Sequence, residues 1–292
     1  MSMRRILALV GVVLSAVLVP ATTATGATPV HRGWATYYDQ SWSPRNNCGT
    51  SAALLGTGNY AALNFYASPK GGVGAYANGS NCGRYIRVTI GRKCVGVANA
   101  GNLNQGFCRG GRLVDDRYTG AALTFVVADS CPDANAWCRQ DAAHLDLAHP
   151  ALDRFVKAGR VLTGLGDGGN WNNRRISWTY VAAPGYRGDV HIAFTKDAQR
   201  YWPAVVITHL QHGIGSVRYL QSGTWHRAAP VGSLGQELVL GATVPNGTHY
   251  AVKIVDRTGR AIHGAKAYRF TLPRACANAC SADHTPVAYR VG

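Results

Sequence analysis

Eight cysteines constrain this chain more than any other feature, because six of them, Cys48, Cys82, Cys94, Cys108, Cys131 and Cys138, crowd into its first half. An even number of cysteines outside a reducing compartment reads as disulfides, here four. The compartment follows from the N-terminus. Arg4 and Arg5 precede the apolar run Ile6 to Pro20, and small residues end near Ala27, the pattern of a secretory signal peptide over residues 1–27. That run is about 15 residues, short of the roughly 20 that a membrane-spanning helix needs. Export to the extracellular space without a membrane anchor is therefore expected. Metal ligation is the competing use of Cys131 and Cys138, with His144 and His149 nearby, but no C-x-x-C or H-x-x-H spacing supports it. We expect a crosslink between Cys131 and Cys138 and a clip between Cys276 and Cys280. The partners of the other four stay open, and neither a metal nor a cofactor is expected.

The formal charge is +16, and loss of Arg4 and Arg5 with the signal leaves +14. Such a surplus attracts polyanions without specifying one. Export argues against nucleic acid, whereas acidic wall polymers such as pectin suit both charge and location. About 265 exported residues exceed one typical domain. The glycine-rich stretch 164–173, GLGDGGNWNN, has no apolar periodicity and reads as a linker between a first domain, 28–163, and a second, 174–275, with a tail over 276–292. The first domain has strand-like runs at Tyr85 to Ile90 and Leu123 to Ala128, and one helical spacing at Pro150 to Ala158. The second has short alternating runs beginning at Ile176, Val190, Ala204, Ser216, Glu237, Ala251 and Ala267, with turn dipeptides such as Asn246-Gly247, which predict an antiparallel sandwich.

Acid usage narrows the chemistry. Glu237 is the sole glutamate and falls in a predicted strand of the second domain, so carboxylate chemistry must use aspartates. Asp129 follows the apolar strand Leu123 to Ala128, Asp146 sits in His144-Leu145-Asp146, and Asp39 closes Tyr37-Tyr38-Asp39. A groove carboxylate beside aromatics acquires a raised pKa and becomes a proton donor to a glycosidic oxygen. Plainer roles are an N-cap or turn acceptor for Asp146 and a strand-end turn for Asp129. Tyr201-Trp202 is either core packing or, if a bulge turns both rings outward, a platform for sugar rings. No G-x-S-x-G elbow or phosphate loop is present.

Several segments together resemble bacterial expansins over nearly the whole exported chain. They are GWATYYD at 33–39, TSAAL at 50–54, NGSNCGRYIRVTI at 78–90, FVVADSCP at 125–132, HLDLAHPALDRF at 144–155, ISWTYVAAP at 176–184 and RYWPAVVI at 200–207. The resemblance implies an all-β protein: a six-stranded double-psi β-barrel followed by an immunoglobulin-like β-sandwich. It implies that Thr36, Asp129 and Asp146 line a groove with Asp146 the essential acid. Tyr37, Tyr38 and His144 would contact substrate, and Tyr201 and Trp202 would contact cellulose. Ser233 stands where a third platform aromatic is expected, Ala148 replaces a serine, and Cys131 replaces a groove tyrosine. The implied function is loosening of the plant cell wall without hydrolysis by a monomer that binds cellulose, xyloglucan or another β-glucan. The alternatives are an inverting endoglucanase of the family 45 kind, with Asp146 as acid and Asp39 as base, and a peptidoglycan lytic transglycosylase using Asp146.

Overall fold

The computed structural model describes residues 28–39, 46–66, 72–97, 107–131, 136–167, 169–171, 174–187, 190–232 and 234–292. The proposed signal peptide and Ser233 lie outside these. In chain order the first half comprises β1 (His31–Tyr38), α1 (Ala52–Leu55), β2 (Tyr60–Asn64), β3 (Tyr85–Ile90), β4 (Lys93–Val95), β5 (Arg112–Val114), β6 (Ala122–Cys131), α2 (Ala136–Gln140), β7 (Leu145–Ala148), β8 (Val156–Lys157), β9 (Arg160–Val161) and β10 (Arg174–Val181). Six of these strands close into a barrel in the order β2-β7-β1-β10-β3-β6, with β6 returning to β2. The pairs β1–β7 and β2–β6 are parallel, the rest antiparallel. Strand β3 shows why: Ile86, Val88 and Ile90 point inward, and Arg87 between them points to solvent. Phe125, Leu145, Leu147 and Trp178 complete that core.

The expected domain boundary is corrected by β10. Residues 174–181 are the sixth barrel strand, paired with β1 and β3, so the barrel runs to Val181. The glycine-rich stretch before it is not a free linker. Leu165 and Trp171 are buried, and the Trp171 Nε1–H donates to the Ala35 carbonyl at 2.9 Å. Arg174 is buried too, its guanidinium paired with Asp116 and donating to the Asn170 carbonyl. Two isolated anchors leave no periodic signal in a stretch of glycine and asparagine. The helix expected at 150–158 is also absent. His149–Arg154 forms a 3-10 turn, and Val156–Lys157 then pairs with Arg160–Val161 through a turn at Ala158 and Gly159, both with positive φ. The apolar spacing is real, since Leu152 and Phe155 are buried, but Gly159 stops a helix from continuing.

The second half contains β11 (His191–Thr195), β12 (Ala204–Thr208), β13 (Ile214–Gln221), β14 (Thr224–Arg227), β15 (Ala229–Val231), β16 (Leu234–Val239), β17 (His249–Asp256), β18 (Tyr268–Thr271), β19 (His284–Pro286) and β20 (Arg290–Val291). They form two five-stranded sheets, β15-β16-β12-β11-β19 and β14-β13-β17-β18-β20. Val205, Ile207 and Leu238 from one, and Val217, Tyr250 and Ile254 from the other, share one core. The expected tail is thus part of the sandwich, contributing an edge strand to each sheet after the Cys276–Cys280 disulfide. The remaining disulfides join Cys48 to Cys82, Cys94 to Cys108 and Cys131 to Cys138.

The two halves meet along β16. The Gln236 N–H donates to the Cys48 carbonyl at 3.3 Å, and His284 Nε2 lies 3.0 Å from the Gly49 carbonyl. Glu237 is buried against Gly49, whose φ of +79 permits the approach. Gly235 packs on the Gly79 carbonyl so closely that a Cβ there would overlap it. Gly235→Ala should therefore lower thermal stability by about 1–3 kcal/mol through overpacking. Calorimetry should show the sandwich and barrel melting as separate transitions.

Candidate functional site

The sheet register gathers the acids. Ala62 on β2 stands opposite Asp146 on β7 and opposite Asp129 on β6, and Thr36 on β1 stands opposite Asp146 from the other side. Strands lie about 4.8 Å apart, so the two aspartate backbones are roughly 10 Å apart across β2. An irregularity in the β2–β6 ladder makes this possible: Ala61 pairs with Val127, but Ala62 pairs with Asp129, skipping Ala128. One extra residue re-aims Asp129 into the row of Asp146. Ala62 between them is small and buried, with Tyr38 packed against it.

Asp146 is half-buried, and its Oδ1 accepts from the Thr36 hydroxyl at 2.9 Å. Burial raises its pKa to about 7, the Thr36 hydrogen bond working against the shift and the charge on Asp129 adding to it. Thr36 in turn sits 2.9 Å from His144 Nε2. Burial holds the His144 pKa down to about 3, so its ring is neutral at ordinary pH. With Thr36 donating forward to Asp146, Nε2 carries the ring proton and donates to the Thr36 oxygen. The expectation that His144 contacts substrate is corrected here: it is 0% exposed, lies behind Thr36, and orients it from inside. A nitrogen of its ring lies within 4.8 Å of the sulfurs of Cys131 and Cys138, which are bonded to each other.

Asp129 is tied down differently. Its Oδ1 accepts from the backbone N–H groups of Asn47 and Ser130, each at 2.9 Å, and its Oδ2 from the Tyr38 hydroxyl at 3.3 Å. The Tyr38 pKa is raised well above its ordinary value, by burial first and the Asp129 charge second. Thr36 and Tyr38 are two residues apart on β1, so Asp146 and Asp129 face the same side of the sheet. Burial first, and then the charges of Asp129 and Asp39, raise the pKa of Tyr60 on β2. Asp39 is exposed, and its Oδ1 pairs with His149 Nδ1 at 3.2 Å. Tyr37 is 41% exposed, stacks on His149 at 4.8 Å between centroids, and meets Trp171 edge-on. Sequence reasoning did not single out Asn47, His149 or Trp171 for the site. Only the adjacency of Asn47 to Cys48 and of His149 to the Asp146 segment would have hinted at them.

In the sandwich, Gln199 and Trp202 exchange backbone hydrogen bonds of 3.2 and 3.0 Å, which puts Arg200 and Tyr201 at the tip of a tight turn before β12. Strand alternation therefore does not apply to the adjacent rings. Tyr201 is 67% and Trp202 39% exposed, and the Arg200 guanidinium lies 4.6 Å from the Tyr201 ring centre. Core packing is ruled out for this pair.

No protein-family model and no curated protein matches this chain. Among solved structures, two of Clavibacter michiganensis expansin, a mutant in complex with cellohexaose and the apo form, each superpose with a TM-score of 0.54 at 19% identity. Each covers 89% of this chain and 96% of the expansin. A GH45 endoglucanase crystallised with cellobiose aligns at a TM-score of 0.29 and 18% identity over 55% of this chain and 84% of its own, too loosely to bear on the argument. The chain thus has the expansin fold, the double-psi barrel followed by the sandwich.

The raised carboxyl has a thermodynamic consequence. Folded Asp146 holds its proton up to about pH 7, whereas the unfolded group releases it near 3.8, so the folded state loses stability as pH rises between those values. Asp146→Asn, neutral at every pH, should raise Tm by a few degrees at about pH 8 and leave it nearly unchanged at about pH 4. Melting curves at the two pH values check this.

Proposed function

We propose that this chain is an expansin-like protein, exported from the cell, that binds β-glucan such as cellulose or xyloglucan and loosens glucan contacts without cleaving the chain. The observation that supports the reading is the unequal surroundings of the carboxyls: Asp146 keeps a proton near neutrality, Asp129 is held by three hydrogen bonds, and Asp39 is paired with His149. Inverting hydrolysis needs a second, free carboxylate roughly 6.5 to 9.5 Å away with room for an activated water. Asp129 already accepts three hydrogen bonds, and the exposed Asp39 is paired with His149. This counts against the family 45 arrangement with Asp39 as base.

What this acid-bearing face offers a glucan is exchange of partners. Chains in a wall hold one another by hydroxyl hydrogen bonds, each worth about 1 kcal/mol net in water. Protonated Asp146 supplies a strong donor, the exposed Tyr37 face supplies a stacking surface, and Tyr201 with Trp202 supplies another on the sandwich. Contacts between polymers are replaced by contacts with protein, and no covalent bond changes. Asp146 is also suited to protonating a glycosidic oxygen, so cleavage by an endoglucanase or by a one-acid transglycosylase is the reading to be tested against.

The parent protein should cause creep of heat-inactivated wall strips while releasing no reducing ends from carboxymethylcellulose and no anhydro sugars from peptidoglycan. Creep should rise as pH falls through about 7, because the protonated carboxyl is the donor. Asp146→Asn should abolish that pH dependence and most of the creep. Release of sugar ends that Asp146→Asn eliminates would replace this reading with hydrolysis. Tyr201→Ala combined with Trp202→Ala should weaken binding to crystalline cellulose roughly tenfold in a pull-down, with Tm unchanged, since both rings are exposed.

A further inference from the structure

Two histidines at one end of the sheet β15-β16-β12-β11-β19 are brought face to face. His191 opens β11 and stands directly opposite Thr208, the last residue of β12. Alternation would send the next residue, His209, to the far side of the sheet, but its φ is +63, in the left-handed region that strands avoid. The chain turns there, and the two imidazole rings lie 3.8 Å apart between centroids with their planes inclined by 31°. His191 is exposed and His209 half-buried, so the pair is open to solvent on one side. A left-handed residue other than glycine is strained, and such residues gather where a side chain is held for use.

Proton positions decide what the pair can do. His209 Nδ1 lies 2.8 Å from the hydroxyl of Thr208, a fully buried side chain. When Nδ1–H donates to that oxygen, Nε2 keeps a free lone pair, which is how a neighbouring oxygen orients a metal-binding histidine. The His209 pKa is lowered, by burial first and by His191 second, which favours the neutral ring. Ion pairs among the described residues join His149 to Asp39 and Arg174 to Asp116, so no carboxylate competes for either ring. We propose that His191 and His209 form a site for copper(II), with water in its remaining positions. Imidazole nitrogen suits copper, nickel and zinc, and copper(II) binds such sites most tightly of the three. Among the described residues, Cys131, Cys138 and His144 are the one group with three ligand atoms within 4.8 Å, but those sulfurs are bonded to each other. The histidine pair also sits beside the junction of the two halves. In the turn that follows β12, the Gln211 carbonyl accepts from the Ala183 N–H at 2.8 Å, and Gly213 packs against Arg84 of the barrel. Copper held at the start of that turn stiffens it. The site shares no residue with the aspartates or with the Tyr201–Trp202 turn and stands independently of the glucan reading.

The test is titration of the full chain with copper(II) at neutral pH, read by calorimetry and by electron paramagnetic resonance. The parent should show nitrogen splitting from two imidazoles, and saturating copper should raise Tm by a few degrees. His191→Gln and His209→Gln should each weaken binding roughly tenfold or more and remove the two-nitrogen pattern, with the metal-free Tm unchanged. Thr208→Val should weaken binding roughly tenfold, and Thr208→Ser, which keeps the hydroxyl, should restore it. His226→Gln, an exposed histidine on β14, should bind copper as the parent does. Parent-like affinity in both His191→Gln and His209→Gln, or a two-nitrogen signal that survives in them, would overturn the proposal by placing the copper elsewhere.

Discussion

The shared pairing of β2 with β6 on one side and β7 on the other governs the rest of the barrel half. That pairing closes the sheet, and a closed sheet fixes the register of every strand in it. Asp129 and Asp146 come from strands separated in sequence by the Cys131–Cys138 loop, yet both stand opposite Ala62. Had the ladder continued without its irregularity, Ala128 would occupy the place of Asp129. The skip at Ala128 is therefore a feature of the site as much as of the fold.

The two acids then diverge because of what surrounds them. Asp129 receives two backbone N–H groups and a phenol. Asp146 receives one hydroxyl and is otherwise surrounded by protein, so burial prevails. The buried neutral His144 keeps Thr36 pointed at that carboxyl, and a charged histidine could not occupy its place. The asymmetry arises from loops as well as strands, since Asn47 reaches Asp129 only because Cys48 is crosslinked to Cys82 and hydrogen-bonded to Ala128.

Much of this was legible in the sequence. The strands at Tyr85–Ile90 and Ala204–Thr208 fall where alternation and composition put them, and the register sets Thr36 opposite Asp146 and both Asp146 and Asp129 opposite Ala62. What escaped has identifiable causes. A sixth barrel strand looked like the start of a second domain because glycine and asparagine precede it, while its anchors, Trp171 and Arg174, are single residues. His144 looked like a groove residue because the resemblance to expansins implied it; in the structure it is buried beside Thr36. Asp39 carries the right charge in the right segment, but only the position of His149 shows which way it faces.

The last feature with wider meaning is the C-terminal segment. Residues His284–Pro286 and Arg290–Val291 supply one border of each sandwich sheet, and His284 touches the barrel at Gly49. During synthesis, neither sheet can be completed before these residues have emerged, although the barrel needs nothing beyond Val181. The order of folding is therefore asymmetric: the acid-bearing half can mature while its companion waits, with open strand borders vulnerable to mispairing until the final turn of chain locks both in place.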